Sequence, residues 1–117
     1  MSTESIINPV TFGELRAMTG DEFLGELIDT FCTETPSIIS DLQRALAEGD
    51  ADTFRRAAHS IKSSSANFGA VPFSALAREL EMLGREHNLA QAGDKVARLV
   101  ADYDQLVRAL RELQHAS

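Results

Sequence analysis

The sequence predicts an all-α fold, an antiparallel up-and-down four-helix bundle with a short extra N-terminal helix. Three observations predict it. Residues that favour helices, chiefly Ala, Leu, Glu and Arg, are abundant, and no segment alternates apolar and polar residues as a strand does. Apolar residues instead recur at spacings of three and four over long segments. The loops between these segments are short, as they are between antiparallel neighbours in a bundle.

Length and composition limit the class of protein. The chain has 117 residues, 44% of them hydrophobic, which suffices for a single domain over residues 1–117 with its own core. A net charge of −7 makes nucleic acids and anionic membrane surfaces poor partners. One cysteine, Cys32, cannot form an internal disulfide, and we see neither a signal peptide nor a membrane-spanning run. We therefore expect a cytoplasmic monomer.

The first helix is short. A T-x-x-E capping box at Thr11 and Glu14 predicts its start, and Gly20 can end it. Its apolar residues fall on one side: Phe12, Leu15 and Met18.

Asp21 is expected to cap the second helix. Pro36 lies inside its apolar pattern, and either kinks one long helix or divides it after Thr35; the sequence leaves both open. Gly49 closes this segment. The apolar positions of its first half are Phe23, Leu24, Leu27, Ile28 and Phe31.

The remaining helices are also bounded by their punctuation. Asp50 is expected to cap the third helix, about 51–68, and Gly69 to stop it. Pro72 fits the first turn of the fourth helix, and Asn88 its left-handed end. The last helix, roughly 92–114, carries an apolar seam: Val96, Leu99, Tyr103, Leu106, Leu110 and Leu113.

The third helix has two distinct faces. At about 100° per residue, one sector collects the residues that should face the core. His59 falls on the opposite side and should point to water. The core sector contains Phe54, Ala57, Ala58, Ile61, Ser65 and Phe68.

Small residues surround the exposed histidine. Ser60, Ser63 and Ala66 do not overhang His59, so the imidazole is open to a protein partner as well as to water.

The same face is basic. Residues 53–78 hold four basic residues and no acid, although the whole chain is acidic. Lys62, three residues after the histidine, can reach an anion held on its ring. Arg55 and Arg56 lie beside them and would favour an acidic partner surface.

The segment His59-Ser-Ile-Lys-Ser-Ser-Ser-Ala-Asn-Phe-Gly69 resembles the H-x-[aliphatic]-K-[small]-[small]-[small]-x-x-x-G signature of histidine-containing phosphotransfer (Hpt) domains of bacterial two-component phosphorelays. The resemblance implies that His59 accepts a phosphoryl group from the aspartyl phosphate of a receiver domain and passes it to an aspartate of another receiver. It implies that Lys62 stabilises the phosphoryl charge and that Gly69 ends the helix.

Two further positions follow from this resemblance. Family members often carry Glu or Gln on the next helix, 22 residues after the histidine, which here is Glu81. Its implied role is to bond the ring nitrogen that is not phosphorylated. Many members have Gly where this chain has Ser63, and because serine is the next smallest polar residue, we expect access to the imidazole to be kept.

The expected partners are the receiver domains of response regulators and of hybrid histidine kinases, and the expected Mg²⁺ lies on the receiver. The chain has no Gly-rich phosphate loop, so we expect a phosphocarrier without its own ATP site or cofactor rather than an enzyme. No metal site is expected, because His87 and His115 lack ligands at metal-binding spacing. Two alternatives remain: the N-terminal phosphoacceptor domain of a chemotaxis-type histidine kinase, and a non-catalytic helical adaptor.

Overall fold

The computed structural model describes residues 3–115, with side chains from Ser5 onward, and this part of the chain is helical without any strand. The predicted all-α class is therefore confirmed. The helices are α1 Thr3–Ile6, α2 Pro9–Thr19, α3 Asp21–Glu48, α4 Ala51–Ala66, α5 Val71–Arg85 and α6 Gly93–His115, with a 3₁₀ turn at Leu89–Gln91.

Helices α3, α4, α5 and α6 form the four-helix bundle. Helix α4 packs against α3 on one side and α5 on the other, and α6 completes the ring by contacting both α3 and α5. The predicted extra N-terminal helix is α2, which packs on α3, and the one-turn α1 before it, which was not predicted, contacts α5 and α6. Each fully buried leucine or isoleucine of this core contributes about 1.5–3 kcal/mol to folding. The largest sealed side chains include Leu24, Ile28, Leu42, Phe54, Ile61, Leu76, Leu80, Leu99, Leu106 and Leu110.

Pro36 lies inside α3, which runs unbroken from Asp21 to Glu48. A proline has no backbone N–H to donate to the carbonyl four residues earlier, which here belongs to Cys32. The Tyr103 hydroxyl of α6 donates a hydrogen bond to that Cys32 carbonyl oxygen at 3.3 Å. Burial raises the pKa of Tyr103 to about 12, so the hydroxyl keeps the proton that it donates. The opposite helix thus replaces the bond that the proline removes.

The two N-terminal caps differ from the prediction. Helix α2 begins before Thr11, because the Asn8 side chain accepts hydrogen bonds from the backbone of Val10 and Thr11, and Pro9 occupies the first turn. The predicted capping box at Thr11 and Glu14 is therefore wrong. Asp21 does not cap α3 either: Gly20 precedes the helix, and Asp21 is its first residue, paired with Arg16 at 3.1 Å.

Three helices end in the same hydrogen-bonded geometry. At each end one residue has a positive φ, and the N–H of the residue that follows it donates to the carbonyl five residues earlier, a Schellman motif. Gly49 and Gly69 occupy the left-handed position, as predicted. At the end of α5 that position belongs to His87 (φ 56°) and not to Asn88, whose N–H bonds the Leu83 carbonyl instead.

Two residues predicted to be on apolar faces are exposed. Met18 is 79% exposed and Phe23 50% exposed, since each lies at the edge of its helix's buried stripe and not in the middle. The core sector predicted for the third helix is buried throughout.

Candidate functional site

Helix α4 exposes His59 to solvent, and both its N-terminal cap and its buried face fix the position of the helix. The Asp50 side chain accepts a hydrogen bond from the Thr53 backbone at 3.1 Å and caps the helix. Phe54 and Ile61 are fully buried on the opposite face, which fixes the rotation of the helix. The His59 side chain is 56% exposed, as the sequence predicts.

Glu81 of α5 meets the histidine ring. His59 Nδ1 lies 2.7 Å from Glu81 Oε2. Because an ionised carboxylate only accepts hydrogen bonds, Nδ1 carries the proton and donates it to Glu81. The lone pair of the neutral ring is then on Nε2, which makes no hydrogen bond to any of the described residues. The contact with Glu81 therefore leaves Nε2 as the ring nitrogen with a free lone pair.

The same carboxylate binds Lys62. Lys62 Nζ donates to Glu81 Oε1 at 2.7 Å, so both carboxylate oxygens have a hydrogen-bond partner. The Glu81 side chain is only 5% exposed. Burial by itself favours the neutral acid, but the hydrogen bonds from Lys62 and His59 outweigh it and lower the pKa of Glu81 below its ordinary value. The site is therefore built around one buried, ionised acid.

Arg85 is a part of this cluster that the sequence analysis missed. Its guanidinium lies 3.7 Å from Glu81 Oε2, one helical turn along α5, and 60% of its side chain is exposed. This distance makes an ion pair without a hydrogen bond. The i,i+4 spacing of Glu81 and Arg85 was a usable signal, because residues at that spacing are neighbours on a helix surface.

Gly84 lets α5 approach α4 closely enough for these contacts. A Cβ at Gly84 would lie 3.0 Å from both the Cα and the Cβ of Arg55, inside ordinary contact distance. Gly84 is one turn from Glu81, so the close approach occurs beside the carboxylate. This glycine was not singled out from the sequence, because an isolated glycine in a helical pattern does not by itself show what packs against it.

The two predicted partner-facing arginines are engaged within their own helix. Arg55 and Arg56 both pair with Asp52, at 3.0 and 2.6 Å. Asp52 stands just before the segment that is free of acids in the sequence, so the basic face is partly neutralised. The Arg55 guanidinium holds the pKa of Asp52 below its usual value.

The small residues predicted around His59 are at the surface. Ser60, Ser63 and Ala66 are all exposed. Of the neighbouring hydroxyls, Ser64 donates to the Ser60 carbonyl at 2.9 Å, whereas Ser63 makes no hydrogen bond to another described residue. Ser60, Ser63 and Ala66 therefore leave the imidazole uncovered on their side of it.

A groove runs between α3 and α4 on the Ser60 side of the histidine. Its volume is about 430 Å³, and its walls are mainly apolar with a polar edge. The lining includes Leu27, Phe31, Ile38, Phe68, Ser60 and Ser64.

Gly69 joins the end of α4 to the start of α2. Its carbonyl accepts a hydrogen bond from the Asn8 backbone at 2.8 Å, and its φ is +79°. A Cβ at this position would lie 2.9 Å from the Cβ of Thr11, so both conformation and space require glycine.

Among the residues that the structure describes, no cluster of three or more His, Cys, Asp or Glu side chains could hold a metal ion. In the same part of the chain, no helix is both long and apolar enough to cross a membrane.

The comparisons with known proteins agree with this geometry. The family model of the Hpt domain matches residues 26–113, which include His59, Lys62, Glu81 and Arg85. The chain is also similar to the crystal structure of histidine-containing phosphotransfer protein B (HptB) from Pseudomonas aeruginosa PAO1, with 27% sequence identity and a TM-score of 0.86. That match covers 93% of this chain and 94% of the other. No curated protein sequence matches the chain significantly.

Proposed function

Because the chain belongs to the Hpt domain family, which has a histidine phosphotransfer role in phosphorelays, we propose that His59 is its phosphoacceptor and that it exchanges phosphoryl groups with receiver domains. One observation carries this proposal. A half-exposed imidazole has its Nδ1–H bonded to a buried carboxylate, and that leaves the Nε2 lone pair as the nucleophile.

The chemistry balances with these groups alone on the carrier's side. Nε2 attacks the phosphorus of the receiver's aspartyl phosphate, the N–P bond forms, and the P–O bond to the aspartate breaks. The aspartate leaves as a carboxylate with the bonding electron pair. No proton has to move, since Nδ1 keeps its proton and the ring becomes a phosphoimidazolium that faces Glu81. Transfer to a second receiver is the reverse of this step.

Lys62 and Glu81 have separate roles in the proposal. The Lys62 ammonium lies next to the histidine through their shared carboxylate, where it can neutralise charge on the phosphoryl oxygens. Glu81 orients the ring and stabilises its positive charge after transfer. Phosphoryl transfer depends mainly on in-line positioning and charge neutralisation, which suits a carrier with no ATP site of its own.

The receiver would dock over α4. Ser60, Ser63 and Ala66 offer a low surface beside His59, and the apolar groove toward α3 extends it. Arg55 and Arg56 would form a basic rim for the acidic pocket of a receiver, which would bring the Mg²⁺. We propose a transient interface made by a monomeric carrier.

Label transfer tests this function. Several receiver domains, each carrying a labelled aspartyl phosphate and Mg²⁺, are mixed in turn with the wild type and with His59→Gln. We expect label on the wild type only, while circular dichroism shows that the variant is folded. Label on both proteins would contradict the assignment of His59.

Phosphoramidate, a small phosphodonor for histidine, provides the control that needs no partner. If neither the receivers nor phosphoramidate phosphorylates the wild type, the chain is a helical adaptor and the proposed function is wrong.

A further inference from the structure

The Glu81 carboxylate has three partners but only two oxygens, and two of these partners, Lys62 and Arg85, are positively charged. His59 Nδ1 and Lys62 Nζ each take one oxygen at 2.7 Å, and Arg85 stands 3.7 Å from Oε2. Glu81 is almost fully buried, so water cannot replace a partner that leaves. If Lys62 moves away from Glu81, only the His59 N–H and Arg85 therefore remain to stabilise the charge of the carboxylate.

Lys62 is the cation with two claims on it. In the structure it is bound to Glu81, and only 29% of its side chain is exposed. Under the proposed function it must also neutralise a phosphoryl group on the adjacent imidazole. A lysine ammonium is a compact point charge, so charge directed to one anion is partly lost to the other.

We propose that Glu81 and the phosphoryl group on His59 compete for Lys62, so that the carboxylate withholds charge from the phosphohistidine and keeps it ready to give up its group. This inference rests on the proposed function and makes Glu81 a regulator of phosphohistidine stability as well as the residue that orients the ring. Arg85 is the positioning residue that remains beside Glu81 when Lys62 turns to the phosphoryl group.

The competition predicts the direction in which removing the Glu81 charge changes the effect of Lys62. Glu81→Gln keeps an oxygen that can accept the Nδ1–H bond but removes the charge that holds Lys62. Lys62 should then stabilise the phosphohistidine more than it does in the wild type. This sign does not depend on how the Glu81 substitution by itself changes phosphohistidine stability, because it concerns only the effect of Lys62 in each background.

A double-mutant cycle measures this coupling. The wild type, Lys62→Gln, Glu81→Gln and the double variant are each equilibrated with a receiver that labels the wild type, and the equilibrium constant for phosphoryl transfer is measured. We expect Lys62→Gln to lower that constant about threefold in the wild type and at least about tenfold in the Gln background, a difference within the usual range of coupling between contacting residues.

The chain provides matched controls. Lys95 is the other lysine of the sequence and lies 3.9 Å from Glu79, so Lys95→Gln should leave the constant unchanged in both backgrounds. With only two lysines, proton–nitrogen NMR of the ammonium groups can also follow Lys62 directly. Its signal should shift when phosphoramidate phosphorylates the wild type, whereas that of Lys95 should not.

Arg85→Gln is a second variant that leaves the buried carboxylate in place. With less positive charge nearby, Glu81 should hold Lys62 more strongly, so the transfer constant should fall about twofold, as for a partly exposed ion pair. Arg78→Gln removes the same charge from α5 on the side that lines a groove with Arg98, and should have no effect.

The outcomes separate the two proposals. If no receiver and no phosphoramidate labels the wild type, the proposed function fails. Suppose instead that the wild type is labelled but Lys62→Gln has an equal or smaller effect in the Glu81→Gln protein than in the wild type. The proposed competition is then wrong, and Lys62 binds both anions at once through its three N–H donors.

Discussion

The two faces of α4 show how one helix of 16 residues serves the fold and the site by different means. On the inner face, Phe54, Ala58 and Ile61 are fully buried, and the Ser65 hydroxyl bonds a carbonyl of its own helix at 2.7 Å. On the outer face, the side chains of His59 and Lys62 both bond Glu81, which belongs to another helix. The inner face is thus determined by local periodicity, whereas the outer face needs the bundle to be assembled. Substitutions on the two faces should separate stability from transfer.

Ile61→Ala should have the largest effect on folding. Ile61 is fully buried, and truncation of such a residue costs about 2–5 kcal/mol through lost transfer energy and a residual cavity. Urea denaturation followed by circular dichroism measures it. His59→Gln, on the exposed face, should change the free energy of unfolding by less than about 1 kcal/mol.

The fraction of Ile61→Ala that remains folded should still take label from a receiver. Loss of labelling by folded Ile61→Ala, or a large loss of stability in His59→Gln, would break the separation between the two faces.

Ser63→Leu should slow phosphoryl transfer and leave stability unchanged, the opposite of Ile61→Ala. Ser63 is exposed one turn after His59, so a larger side chain there would obstruct the receiver without disturbing the core. We expect the rate of label transfer to fall about tenfold, which corresponds to about 1.4 kcal/mol, with the midpoint of urea denaturation unchanged. Ser63→Gly is the control and should transfer at least as fast as the wild type. Unchanged transfer in Ser63→Leu would show that this side of the histidine lies outside the interface.

Much of this molecule could be predicted from the sequence because it depends on residues close along the chain. The helical class, the buried sector of α4, the exposure of His59 and the ends at Gly49 and Gly69 all follow from periodicity and local conformation. The caps were harder, because Asn8 and Thr11 are both suitable cap residues and Pro9 decides between them. The continuity of α3 could not be predicted, since it depends on a hydroxyl from α6 that bonds the carbonyl freed by Pro36.

The site was predictable only as far as its motif reaches. The resemblance brought in Glu81, but neither the sharing of its carboxylate with Lys62 nor the close approach at Gly84 follows from a linear pattern. Both depend on the separation between α4 and α5, which is set by packing across the bundle.

Acid titration should reveal how much the ionised, buried Glu81 carboxylate on the site side stabilises the fold. The folded state lowers the pKa of Glu81 below its ordinary value of 4.5, so folding favours the ionised form. The resulting stability is present above about pH 4.5 and is lost as the pH falls through the lower folded value. The free energy of unfolding should therefore decrease on acidification, as measured by urea denaturation at a series of pH values.

Glu81→Gln should flatten this pH dependence. Asp52 remains in both proteins and also has a lowered pKa, because of its hydrogen bond with Arg55, so part of the slope should persist. An identical slope in wild type and variant would mean that Glu81 is not ionised preferentially in the folded state.

Gly84→Ala should have the smallest effect, because two contributions oppose each other. Alanine is a better helix former than glycine by about 1 kcal/mol, which favours the variant. Against that, the added Cβ would lie 3.0 Å from the Arg55 backbone, and α4 must move away by a few tenths of an ångström. Gly13→Ala isolates the first contribution, since a Cβ there has no neighbour within 4 Å in helix α2. We expect Gly13→Ala to stabilise by about 0.5–1 kcal/mol and Gly84→Ala to be neutral or destabilising by less than about 1 kcal/mol.

Because Gly84 lies one turn from Glu81, Gly84→Ala should also slow phosphorylation of His59 by phosphoramidate, whereas Gly13→Ala should not. Equal stabilisation by both variants with unchanged phosphorylation would show that the α4–α5 separation does not control the His59–Glu81 contact.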